Sequence, residues 1–229
     1  MKTNRQKAFT LIEMLVVISI IAILAAFAVP ALTSALTKGQ MTGTMNNGRQ
    51  LYLAAQQMAL DGAANSDATL TWPGDANPAI TKNSEFLNLL TVNNYLKGGD
   101  VQKLMNAPGA SYTVTSTVAA DGTTNVTACA GIPAFKIFKV KDADSSNTIF
   151  LETNNYVYNS KLDQTLAPYA DKGFIVQRKG GDASILRKNN VTAAQASSPS
   201  VFQTVTGKQT TDADNAPTPE QNGLLLTNG

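Results

Sequence analysis

Glu13 is the only formal charge between Lys7 and Lys38, and it stands at the head of an otherwise apolar run. A carboxylate at the centre of a membrane helix costs about 2.5–3.5 kcal/mol, and less near an end. The chain has no histidine, which removes the usual general base and the usual metal ligand together. Cys129 is its only cysteine, so no intramolecular disulfide can form. A second stretch with chemical potential is Asp142-Ala143-Asp144 followed by Ser145, Ser146 and Asn147. Alternating oxygen ligands suit Ca²⁺, which makes Asp142 and Asp144 its candidate ligands. The glycine and distal glutamate of a helix-loop-helix calcium motif are missing, and Asp and Ser are also ordinary turn formers. P-loop, Gly-x-Gly-x-x-Gly and Gly-x-Ser-x-Gly patterns are absent, and no carboxylate or Ser/Lys pair is singled out for catalysis. The expectation is a protein that is not an enzyme.

The element that must position Glu13 is legible from charge alone. Met14 to Thr37 is free of formal charge, and as a helix these 24 residues would span roughly 36 Å, enough for a hydrocarbon core of about 30 Å. Lys2, Arg5 and Lys7 precede it, which predicts a cytoplasmic N-terminus with everything after Lys38 outside. A secretory signal peptide is the competing reading, with Ala26-Phe27-Ala28 as its cleavage site and a soluble exported binding protein as its product. Against it stand the acid at the start of the apolar region and the periodic sequence that continues past the supposed cut. Of 18 basic side chains three crowd the leader, leaving 15 against 16 acidic ones over the rest of the 229 residues. That near-neutral balance gives no basic face for nucleic acid.

Beyond the apolar run, Leu32, Leu36, Met41, Met45, Leu51, Ala55, Met58 and Ala59 trace a helical stripe that ends at Asp61-Gly62. Pro30 should bend or loosen this helix, and Gly39, Gly43 and Gly48 should weaken it by about 1 kcal/mol each. Residues 62–110 read as a connecting region with short helices. Trp72-Pro73-Gly74 is a turn, Gly98-Gly99 a stop and Asp100 a cap for Val101 to Met105. From Ser111 the period shifts towards two, predicting three hairpins over 111–190: one around Asp121-Gly122, one joining Phe135–Val140 to Thr148–Leu151, and one around Gly180-Gly181. Residues 191–229 are rich in Thr, Ala, Ser, Gln and Asn and read as an irregular segment that wraps the sheet or forms a tail.

The stretch Lys7-Ala8-Phe9-Thr10-Leu11-Ile12-Glu13 resembles the processing site of type IV prepilins and type II secretion pseudopilins. In that family a basic leader, here residues 1–8, is cut on the cytoplasmic side just before a Phe, the new amino group is N-methylated, and a glutamate stands four residues later. The resemblance assigns cleavage between Ala8 and Phe9, methylation at Phe9, and assembly roles to Glu13 and to Pro30. The family prefers Gly before the cut, so Ala8 implies slower processing. The fold implied is α+β and pilin-like: a long N-terminal helix over 9–61, membrane-spanning over about 9–37, packed against a small antiparallel sheet. The partners implied are like subunits in a homo- or hetero-polymer, prepilin peptidase, an assembly platform with its ATPase, and the membrane. The precursor would sit in the inner membrane and the product in a periplasmic or surface filament. No cofactor is expected, although some major pseudopilins bind calcium in their C-terminal loops. The apolar first stretch and the absent cysteine pair lean towards a secretion pseudopilin, with a type IV pilin of adhesion, motility or DNA uptake as the alternative.

Overall fold

The computed structural model describes residues 10–188 and 191–228. Two compact units divide the chain after Gly39. The helix α1, Leu11–Asn65, supplies the regular structure of the first and the opening element of the second.

In the first unit the apolar side chains from Leu11 to Leu36 are exposed. The helix is long and apolar enough to cross a membrane, with a mean hydropathy of 2.9 in its most apolar stretch. Hydrocarbon offers a backbone or hydroxyl group no hydrogen-bond partner, so each polar group must be satisfied within the helix. Two hydroxyls here are satisfied in this way: Ser19 Oγ donates to the Leu15 carbonyl at 2.7 Å and Thr37 Oγ1 to that of Thr33 at 3.0 Å. α1 runs through Pro30, whose carbonyl accepts a hydrogen bond from Thr33 Oγ1 at 2.9 Å.

In the second unit α1 ends later than its glycine suggests. Gly62 is a packing position: the carbonyl of Leu70 occupies the space where a Cβ would stand. Ser66, at φ 55°, takes the left-handed turn that stops the helix, and Asp67 N–H closes onto the Gly62 carbonyl at 2.9 Å. Gly48 is likewise a contact rather than a weak point, since a Cβ there would lie 3.2 Å from both Leu151 and the Phe135 ring. Leu51, Ala55 and Met58 are fully buried. Tyr52, Trp72 and Phe150 form a triangle of rings with centroids 5.5–6.1 Å apart, which assigns Trp72 to the core.

Helices α2, Asn83–Val92, and α3, Gly98–Leu104, fill the connecting region. Gly98-Gly99 opens α3 instead of stopping the preceding segment, and Asp100 lies within its first turn while Lys97 holds the cap position. The left-handed residue between the helices is Asn94, at φ 59°.

The strands form two sheets where the sequence suggested one. β1, Ser111–Val118, pairs antiparallel with β2, Thr124–Ile132, as a separate two-stranded ribbon. β3, Phe135–Ile137, β4, Ile149–Thr153, β5, Phe174–Arg178, and β6, Ala183–Leu186, form an antiparallel sheet in that order. Asparagine side chains attach both strands of the ribbon to the helices. Asn106 brackets Tyr112, accepting from its N–H and donating to its carbonyl at 2.8 Å each, while Asn88 Oδ1 accepts from Val126 N–H at 2.8 Å. Each amide stands in for a missing neighbouring strand. β4 and β5 are buried at every residue, because they lie centrally in the sheet and are covered on both faces.

The C-terminal segment is ordered over its described residues. Ser198 caps α4, Pro199–Thr206, accepting from Val201 N–H at 3.3 Å, with Pro199 at the first helical position. Beyond it the chain lies along the outer edge of β3: Leu226 N–H donates to the Ile137 carbonyl at 2.9 Å and Lys139 N–H to that of Leu224 at 2.7 Å. Thr227 then joins the start of α2 through Asn83 N–H at 2.8 Å. A polar sequence can hold this course because its bonds go to backbone and not to an apolar core of its own.

Candidate functional site

The head of α1 is built by a reciprocal cap. Thr10 N–H and Thr10 Oγ1 both donate to Glu13 Oε2, at 2.8 and 2.7 Å, and Glu13 N–H donates back to Thr10 Oγ1 at 3.3 Å. This is a capping box, in which Thr-x-x-Glu satisfies amides that the first helical turn leaves orphaned. The negative charge also lies at the positive end of the helix dipole. Glu13 is therefore held in a defined rotamer at the helix head, with one carboxylate oxygen bonded to Thr10. The Thr10-Leu11-Ile12-Glu13 spacing carries this information in the sequence. Ala8 and Phe9, the expected cleavage residues, lie outside the described residues. Pro30 sits inside α1, exposed like its neighbours.

At the second expected site, the Asp142–Asn147 loop, a lysine ammonium lies against the backbone. Lys179 Nζ donates to the backbone carbonyls of Asp142 and, at 3.0 Å, of Asp144. The same ammonium stands 3.9 Å from Asp142 Oδ1 and 5.8 Å above the centre of the Trp72 ring. The Asp144 carboxylate is engaged locally, Oδ2 accepting from Lys141 N–H at 2.7 Å, while the backbone N–H of Asp142 donates to Asp75 Oδ2 at 2.6 Å. Among the described residues no cluster of three or more acids, histidines or cysteines is arranged to hold a metal ion. The Asp142–Asn147 loop is organised by a lysine ammonium supplied from the end of β5, which no local spacing reveals.

An apolar helix headed by a capped glutamate, followed by a helix-and-sheet domain, is the architecture of a pilin-like subunit. The model of the prokaryotic N-terminal methylation motif matches residues 3–29. The chain is 36% identical to fimbrial protein EcpC of Eikenella corrodens over 124 residues, covering 52% of this chain and 76% of that protein. It is 37% identical over 67 residues to the type IV major fimbrial protein FimA of Dichelobacter nodosus, a match covering 29% of this chain and 43% of FimA. Fimbrial protein Q of Moraxella bovis is 47% identical over 60 residues, 26% of this chain and 35% of that protein. No solved structure matches. The chain belongs to the type IV pilin family.

Proposed function

We propose that this chain is a subunit of a type IV pilus, cleaved between Ala8 and Phe9 by a prepilin peptidase, methylated at Phe9 and polymerised through α1 by an ATPase-driven membrane platform. The observation that carries the reading is the exposed apolar helix beginning with a capped Glu13, on a chain similar to one fimbrial protein over half its length. Apolar surface this extensive on a folded chain needs a covering, first by lipid and then by the helices of other subunits. In the filament the Glu13 carboxylate meets the Phe9 amine of a neighbour, and the cost of leaving either charge buried alone sets the axial register. The precursor lies in the cytoplasmic membrane with its N-terminus inside, and the mature subunit lies in a filament at the cell surface.

A secretion pseudopilin is the second reading, favoured by the absence of a cysteine pair. Both are tested on surface material sheared from cells at native expression, with intact mass and N-terminal fragmentation. A chain beginning at N-methylated Phe9 in the sheared fraction of a strain whose protein secretion survives its deletion supports the pilus. The same processed chain found only in the cell envelope, with secretion lost on deletion, supports the pseudopilus. A chain beginning near Val29 overturns both.

A further inference from the structure

A buried ionic cluster joins the sheet to the C-terminal segment and has no part in the helix chemistry above. Lys136 on β3 and Glu152 on β4 are direct cross-strand partners, with Nζ 2.9 Å from Oε1. Glu220, from the segment along the β3 edge, approaches the same ammonium at 2.5 Å and accepts from Tyr158 N–H at 3.0 Å. Lys136 also donates to the Tyr156 carbonyl. The three charged side chains are 13%, 0% and 7% exposed. Aromatic packing helps shut the site: Tyr156 stacks on Phe174 at 3.9 Å, and Tyr158 lies against Phe202 at 5.3 Å. The ionisable groups that act on Glu152 are thus Lys136 from β3, Glu220 from the C-terminal segment, and Tyr156 and Tyr158 from the loop after β4, with Asp212 behind Tyr158.

One ammonium cannot balance two carboxylates, and a dry site does not tolerate the surplus negative charge. Neither oxygen of Glu152 has an aligned hydrogen-bond donor, although both are fully buried. The neutral arrangement is one ammonium, one carboxylate and one carboxylic acid. We propose that Glu152 and Glu220 share a single proton beside Lys136, and that this proton locks the C-terminal strap, residues 209–228, onto the sheet. Glu152 is the acid and donates; Glu220 is the carboxylate, which also takes Lys136 and the Tyr158 amide.

The titration of each group follows from its surroundings. Burial drives the Glu152 carboxyl well above its ordinary range, and the attraction of Lys136 does not offset it. Burial would raise Glu220 too, but the bonds from Glu152, Lys136 and Tyr158 outweigh it and hold that carboxyl low. Burial would lower Lys136, yet the two carboxyl groups raise it above the normal lysine value. A raised acid holds a proton that the unfolded chain releases, so its contribution is full at low pH and disappears as pH rises through the folded value. Lys136 acts in the same direction. Glu220, lowered, loses its contribution only as pH falls through its own folded value. The strap is therefore released on the alkaline side, where Glu152 ionises against Glu220.

The test uses the full chain in detergent. Infrared difference spectra at neutral pH, wild type minus Glu152→Gln, should show the carbonyl band of a protonated carboxylic acid. Hydrogen exchange of residues 209–228, taken as the ratio of wild type to Glu152→Gln at each pH so that intrinsic rates cancel, should rise several-fold from neutral to alkaline pH, with β5 as the unchanged control. Glu220→Gln, which leaves Glu152 alone with Lys136, should abolish the same infrared band and serves if the first variant does not fold. Absence of the band at neutral pH, or an exchange ratio independent of pH, overturns the proposal.

Discussion

At the scale of single residues, Glu13 is the side chain on which the proposed assembly turns. In the single chain its carboxylate is bonded to Thr10 and caps the helix. In the proposed filament the second oxygen would meet a neighbour's amine while the first keeps the cap. Glutamine at this position preserves length and acceptor but removes the charge. Glu13→Gln should therefore insert and be processed at the wild-type rate, yet fall by orders of magnitude in sheared filaments, because breaking a buried pair costs about 3–5 kcal/mol. Quantitative blotting of membrane and sheared fractions from the same cells measures both halves. Equal incorporation of the variant would remove the charge from the register mechanism.

At the scale of elements, the loop between β3 and β4 depends on a lysine just past the end of β5. The Lys179 ammonium bridges two loop carbonyls and rests over Trp72, so its removal leaves acceptors facing an apolar hole. Hydrogen bonds to charged groups contribute about 1.5–3 kcal/mol each. Lys179→Met should lower the melting temperature by several degrees, at about 2–4 °C per kcal/mol for a domain of this size. Addition of millimolar calcium or of a chelator should leave the wild type unchanged. A clear calcium-dependent rise in melting temperature would return Asp142 and Asp144 to the role of ligands.

At the scale of the molecule, the chain protects its sheet with its own end. The outer edge of β3 carries backbone groups that would otherwise accept a foreign strand, and Leu224 to Leu226 occupy it. Truncation after Gly207 removes those bonds, the buried Leu226 and the Glu220 carboxylate together, leaving Lys136 and Glu152 at an open edge. The truncated chain should be made and processed but aggregate when extracted in detergent, measured by size-exclusion chromatography. A monodisperse truncated chain would show that the strap is dispensable for folding.

The sequence by itself determined the apolar helix and the three hairpins, because each rests on spacing within a few residues: charge-free length, and alternation either side of Asp121-Gly122 and Gly180-Gly181. The Thr10–Glu13 cap was equally local and readable. What the sequence left open depends on groups far apart in the chain. Gly48 and Gly62 read as weak points until Leu151, Phe135 and Leu70 are placed against them. The ribbon of β1 and β2 stands apart from the main sheet because asparagines of α2 and of the turn after α3 take the edge bonds. The loop cation comes from 35 residues away and the partner of Lys136 from 84, separations at which local pattern carries no signal. Only the tertiary structure decides which polar groups are buried together, and burial is what turns a lysine and two glutamates from solvated charges into a lock.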